Sequence, residues 1–219
     1  MRVLARTVSR WPGEVWLLLP IIALGAAATF LLRAGEESRQ THKLLREVHD
    51  ISLTLQLDAL RLLKADSSDL QTPPYLQIKE HLRAQRMNLP GVRFVYLMRR
   101  VDGKVKFLAD SEEPGSSDES PPGQEYSELS PILLRAFDGE RGALDGPTTD
   151  RWGTWVSAME PLRSSETGEV VAVLGIDYPA KEWIAAVRRI QTRGLLITLV
   201  MIAAWLSLVL LRLRWRRAV

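Results

Sequence analysis

The 219-residue chain carries 29 Lys and Arg against 26 Asp and Glu, a net charge of +3, and contains no cysteine. The missing cysteine excludes a disulfide framework and a thiol nucleophile, so a folded domain here must be held by its apolar core alone. The positive excess sits at the two ends of the chain and is no argument for a nucleic-acid partner.

Residues 1–14 carry Arg2, Arg6 and Arg10 against Glu14, and residues 15–32 follow as an uncharged apolar run. A second such run, 195–211, is followed by Arg212, Arg214, Arg216 and Arg217 in the basic tail 212–219. At about 1.5 Å per residue, each run makes a helix roughly 25–27 Å long, enough to cross a bilayer core. The flanks hold a net +6, which leaves −3 for the block between them. Lys and Arg retained on the cytoplasmic side set orientation. Both termini are therefore expected in the cytoplasm, with residues 34–193 outside as one domain. In a bacterium this is a two-span inner-membrane protein with a periplasmic domain. Trp11, Trp16 and Trp215 fall where indoles anchor at interfaces, whereas Trp205 is mid-span and reads as a packing residue. Ala26–Ala28 lie inside the first run, which continues through Phe30, Leu31 and Leu32. That placement favours an uncleaved anchor over a cleaved signal peptide.

Residues 34–67 read as one long helix. Leu44, Val48, Ile51, Leu55 and Leu62 form one stripe, and Leu53, Leu57, Leu60 and Leu63 a second. A helix apolar on two faces must bury both. One face is expected on its own domain, and a homodimer is expected to form through Leu44, Val48, Ile51 and Leu55 on the other. Thr72-Pro73-Pro74 starts a second helix, carrying Tyr75, Ile78, Leu82 and Leu89 inward, and Pro90-Gly91 ends it. The period then changes to two. Residues 93–101 and 104–111 read as a hairpin, because Asp102-Gly103 suits a type I′ turn. Residues 112–124 are loop chemistry. Ser130 and Pro131 open a short helix with Ile132, Leu133, Ala136 and Phe137 inward, closed by Gly139. Residues 148–161 give a further extended stretch. Residues 169–177 form an apolar strand, as in a sheet covered on both faces. Pro179 opens a last helix, in which Gly194 is the expected interruption and soft joint before the second span.

The segments VDGKVKFLADSEEP (101–114), SPPGQEY (120–126), GPTTDRWGTWVSAMEPL (146–162) and AVLGIDYPAKEW (172–183) carry a resemblance. The stretch 93–183 resembles an extracytoplasmic PAS-like sensor of the Cache type, such as stands at the front of bacterial sensor histidine kinases and diguanylate cyclases. The resemblance implies an α+β fold, with an antiparallel sheet, a long N-terminal helix and a transmembrane helix on each side. It implies a dimer that binds a small molecule and signals through the second span to a cytoplasmic kinase or cyclase output. The sequence ends at Val219 with no output domain, so it reads as the front of a longer protein or as one that works with a separate partner protein.

By that resemblance the ligand-binding residues are Tyr96, Arg99, Asp110, Arg151, Trp152, Trp155 and Asp177, with Ser157 in the same strand region. An arginine, an aspartate and aromatic rings from different strands suit an acid or an amine. Plain structural roles stand beside these: Arg99 as a solvated partner of Asp110, Asp177 as the cap of the helix at Pro179, Trp155 as core. Residues 110–120 hold clustered carboxylates but lack the regular alternation of a calcium loop, so a solvated or gating loop is expected. His42 and His49 are nearly two helical turns apart and His81 is remote, so no metal site is expected. No nucleophile elbow, zinc-protease or phosphate-loop motif is present, so neither catalysis nor a cofactor is expected. The alternative to a sensor is a binding or scaffold protein that docks a protein partner and takes no small ligand.

Overall fold

The computed structural model describes residues 16–218, and the side chains of 16–215. Arg2, Arg6, Arg10, Trp11, Glu14 and the side chains of Arg216 and Arg217 lie outside the described residues. The chain divides into two compact units, one formed by the segments up to Ser38 and from Ala185, the other by Arg39–Ile184.

In the first unit the two apolar runs are helices long and apolar enough to cross a membrane, and nearly all of their surface is exposed. They belong to α1 (Leu18–Thr54) and to the last helix of the chain, Ala180–Ala218. That helix runs through Gly194 without a break, which corrects the expected interruption there. The glycine serves packing instead: a Cβ on Gly194 would collide with the Thr29 side chain. A Cβ on Gly25 would likewise collide with Thr198. Each threonine hydroxyl donates to the carbonyl four residues back, Thr29 to Gly25 at 2.8 Å and Thr198 to Gly194 at 2.9 Å. Both helices thus carry Gly-x-x-x-Thr, and small residues let apolar helices approach closely where water supplies no driving force.

The second unit is built on a five-stranded antiparallel sheet in the order β2-β1-β5-β4-β3. Its strands are β1 (Phe94–Val101), β2 (Lys104–Asp110), β3 (Ala143–Thr149), β4 (Thr154–Arg163) and β5 (Val170–Pro179). Asp102 and Gly103 both take positive φ, 51° and 76°, as the type I′ turn of the β1–β2 hairpin requires. β5 is the central strand, which explains its unbroken apolar sequence. On one face lie α1, α2 (Leu57–Leu62) and α3 (Pro73–Asn88); on the other lie α4 (Pro131–Phe137) and the loop before it. The last helix is α5. This is the α+β arrangement that the resemblance implies.

Alternation divides the core in two. Val95, Leu97, Val156, Ala158, Leu174 and Ile176 face α1–α3. Phe94, Tyr96, Met98, Trp155, Met159 and Val173 face α4. β2 breaks the alternation. Leu97 pairs with Ala109 while Met98 pairs with Phe107, so Leu108 is an extra residue, a β-bulge. Phe107 and Asp110, three apart, therefore share a face.

Four further expectations are corrected. The long helix runs Leu18–Thr54 rather than over 34–67, and Leu57–Leu62 is a separate short helix. The break is local chemistry: Ser52 and Thr54 hydroxyls donate to the carbonyls of His49 and Ile51, at 2.6 and 2.7 Å, competing with the helical ladder. The dimer seam is not available as drawn. Leu44, Val48 and Ile51 are buried in the core of their own domain, and Leu55 packs against it. Residues 148–161 are two strands and a turn: Asp150 Oδ1 accepts the N–H groups of Trp152 and Gly153 and reverses the chain between β3 and β4. Pro179 ends β5, paired with Trp155, and α5 begins one residue later at Ala180.

Candidate ligand-binding site

Between the α4 side of the sheet and the 118–130 segment lies a cavity of about 50 Å³. Alternation delivers its floor: Phe94 and Tyr96 from β1, Ser157 and Met159 from β4, Asp177 from β5. The bulge adds Phe107 and Asp110. Asp145 and Thr148–Asp150 close one side, while Asp118, Ser120, Tyr126, Glu128, Ser130 and Leu133 form the roof. α4 is held in place by Ser130, whose hydroxyl accepts the Leu133 N–H at 3.0 Å.

Asp177 is 5% exposed. The Tyr96 hydroxyl donates to its Oδ1 at 3.0 Å, and Ser157, its neighbour across β4, adds a second bond. Burial pushes its carboxyl up to about 7, nearby Asp150 and Asp145 adding to the effect, while the two hydroxyls pull it back. Tyr96 reaches it because its cross-strand partner is Gly175, where a Cβ would collide with the tyrosine ring. Burial and the Asp177 charge hold the Tyr96 phenol far above its ordinary value, so it stays a donor.

Asp110, 3% exposed, has a cation behind it. Lys79 Nζ lies 2.8 Å from Asp110 and 2.9 Å from Glu119, tying α3 to β2 and to the loop. The Glu112 and Ser120 N–H groups also donate to Asp110. Burial raises the Asp110 carboxyl and Lys79 draws it back; burial lowers Lys79, and its two carboxylates more than offset that. The loop carboxylates are engaged in the same way. Arg93 bridges Glu112 (2.7 Å) and Asp118 (2.6 Å), and Arg83 pairs with Glu113.

The rings form one connected wall. Phe107 meets Tyr96, Tyr126 and Trp152 edge-on at 5.8–5.9 Å, and Tyr126 stacks on Trp152 at 6.4 Å.

Of the seven residues expected in the site, Tyr96, Asp110, Trp152 and Asp177 line the cavity together. Arg99 does not. It sits on the helix-covered face and donates to the carbonyls of Leu60, Leu63 and Val171 at 2.6–2.9 Å. Alternation alone separates it from Tyr96, and it does not pair with Asp110. Arg99→Ala is expected to destabilise the chain by about 3 kcal/mol through three unmet carbonyls. Ligand affinity should stay within about twofold, since Arg99 touches nothing in the cavity; calorimetric titration beside thermal unfolding checks both. Arg151 lies outside the lining, over Trp152 at 4.5 Å and 3.8 Å from Glu128. Trp155 stands behind the wall against Phe94, its indole N–H donating to Asp150 at 3.0 Å. Asp177 caps no helix.

Asp145, Asp150, Phe94, Phe107 and Tyr126 are lining residues that the sequence reading missed. The signal for Asp145 was obscured by Gly146-Pro147, which reads as a turn but is tolerated here because β3 is an edge strand.

No protein-family model matches the chain, and no curated protein matches it in sequence. Solved structures similar to it include the ligand-binding, or sensory, domain of the Campylobacter jejuni chemoreceptor Tlp3. The ligand-binding domain with L-valine is 15% identical at a TM-score of 0.38, covering 72% of this chain and 66% of that one. The same domain with L-norvaline is 15% identical at 0.44, covering 76% and 62%. The chain thus spans less than two thirds of either. With both TM-scores below 0.5, what this cavity binds is decided by its own residues.

Proposed function

We propose that the chain is a membrane-anchored signal-input module. Its outer domain senses a small ligand in the cavity and reports through the second membrane helix to a cytoplasmic kinase or cyclase output. One observation carries this reading: Asp145 and Asp177, more than nine-tenths buried, line the cavity with no cation beside either among the described residues. A buried carboxylate without a cation is costly to a fold, and a domain that only docked a protein would gain nothing from it. The reading includes placement in a bacterial inner membrane, with the domain in the periplasm and both termini in the cytoplasm; the basic flanks support it. It includes a homodimer, whose seam must use residues other than Leu44, Val48 and Ile51. It assigns no catalytic step.

Ligand occupancy moves a two-state equilibrium by its differential affinity for the two states. β5 carries Asp177 and leads directly into α5, so a change at the cavity has a covalent route to the second span.

The test is thermal unfolding of the full chain in detergent micelles against amino acids, carboxylates, amines and purines. A ligand bound only by the folded state at 100 times its dissociation constant adds about 2.7 kcal/mol, a rise of about 5–10 °C. A rise with one chemical class supports the proposal. No rise across the panel overturns it and favours a protein-docking role.

A further inference from the structure

Six carboxylate side chains line the cavity: Asp110, Asp118, Glu128, Asp145, Asp150 and Asp177. Three have cations that stand outside the lining, namely Lys79, Arg93 and Arg151. Asp145, Asp150 and Asp177 have none among the described residues. Asp150 is occupied by three N–H donors, from Trp152, Gly153 and the Trp155 indole. Asp177 has only the neutral hydroxyls of Tyr96 and Ser157. The side chain of Asp145, 8% exposed, has no hydrogen-bond or ion-pair partner among the described residues and opens on the cavity.

Among the described residues, no Lys, Arg or His lines the cavity. A ligand carboxylate entering it would lose its water, find no cation and meet carboxylates. The remaining wall is aromatic, and π faces attract cations as they attract no anion. Arg151 over Trp152 shows the preference at the rim. A bare metal ion fits poorly: no three acidic or His groups among the described residues are arranged to hold one.

Resting on the sensing proposal above, we infer that the ligand is a small organic ammonium ion without a carboxylate, its charged end held by Asp145 and Asp177 and its body against Phe107, Tyr126 and Trp152. The positions of the two arginines expected in the site separate this class from amino acids and organic acids: Arg99 lies across the sheet, and Arg151 stands outside the lining beside Glu128.

A matched set tests the class. Isobutylamine, L-valine and isovalerate share one branched skeleton and differ in carrying an ammonium, both charges, or a carboxylate. Choline, ethanolamine and putrescine extend the ammonium arm. Titration calorimetry on the full chain in micelles should show binding by at least one ammonium compound, at least tenfold tighter than L-valine, and none by isovalerate. Asp145→Asn should weaken that binding tenfold or more without lowering the melting temperature of the unliganded chain. Binding of L-valine or isovalerate as tight as that of every amine overturns the inference and leaves the sensor reading standing. Silence of all amines in a chain that responds to another compound class does the same. Silence of every compound overturns the sensor reading itself.

Discussion

Between pH 7.5 and pH 5.5 the affinity of the chain for its ammonium ligand is expected to fall about 20-fold, and in Asp177→Asn to be weaker but flat. The cause is competition between the ligand and a proton for one carboxylate. Asp177 is pushed up to about 7 by burial first and by Asp150 and Asp145 second. The groups facing it are the Tyr96 phenol from β1, Ser157 from β4, Asp145 from β3 and Asp150 from the β3–β4 turn; none of them is a cation. Below pH 7 the empty site holds a proton that a cation must displace, so affinity falls up to about tenfold per pH unit. Above pH 7 the carboxylate is already ionised and the profile levels. Stability of the empty domain moves the opposite way. The folded state holds this proton up to about pH 7 and the unfolded chain only up to about 3.8. Across that window the folded state binds more protons, so the contribution of Asp177 to stability is lost as pH rises, about 4 kcal/mol in all. Asp177→Asn should remove that dependence, and a bound ammonium ion should offset it. Titration calorimetry at four pH values decides the matter; a flat wild-type profile would remove Asp177 from the role.

Lys79→Met is expected to lower the melting temperature by about 10 °C, the largest loss from any single polar substitution in the domain. Lys79 is 4% exposed, and among the described residues its ammonium is the one cation serving both Asp110 and Glu119. Removing it strands two carboxylates under α3. Breaking a buried pair on one side costs about 3–5 kcal/mol, which for a chain of this size is about 2–4 °C per kcal/mol. The test has an internal control. In Lys79→Met combined with Asp110→Asn and Glu119→Gln, no charge is left unpaired, and more than half of the loss should return. If the triple variant is no better than the single one, the loss comes from packing along the lysine stem, and the ion triad is not what holds α3 to β2.

Much of the fold was legible because local chemistry and the buried faces agree. Asp102-Gly103 gives the hairpin, Ser130-Pro131 gives α4, and the unbroken apolar run of β5 places it inside the sheet. The site was legible where plain alternation holds, as for Tyr96 and Asp177. Where the pleat is broken, alternation fails: only the bulge at Leu108 brings Asp110 to the side of Phe107 and Tyr96, so Asp110 was placed in the site by the resemblance alone and Phe107 was missed. Arg99 went wrong for a different reason. Its alternation sets it opposite Tyr96; only the resemblance put it in the site. The leucine stripe on α1 was read as a seam between copies, since a sequence does not say whether an apolar stripe meets its own sheet or another chain.

The two Gly-x-x-x-Thr pairs give the two apolar helices a single seating. Among the described residues α5 contains one glycine, Gly194, and α1 contains one besides Gly25, Gly35, nearly three turns away. Sliding one helix along the other by a turn, about 5.4 Å, would bring each threonine methyl against a full side chain in place of a bare Cα. The interface therefore behaves like a latch with one notch. It leaves a tilt or a turn of the whole pair free, and it resists a stroke of one helix past its neighbour.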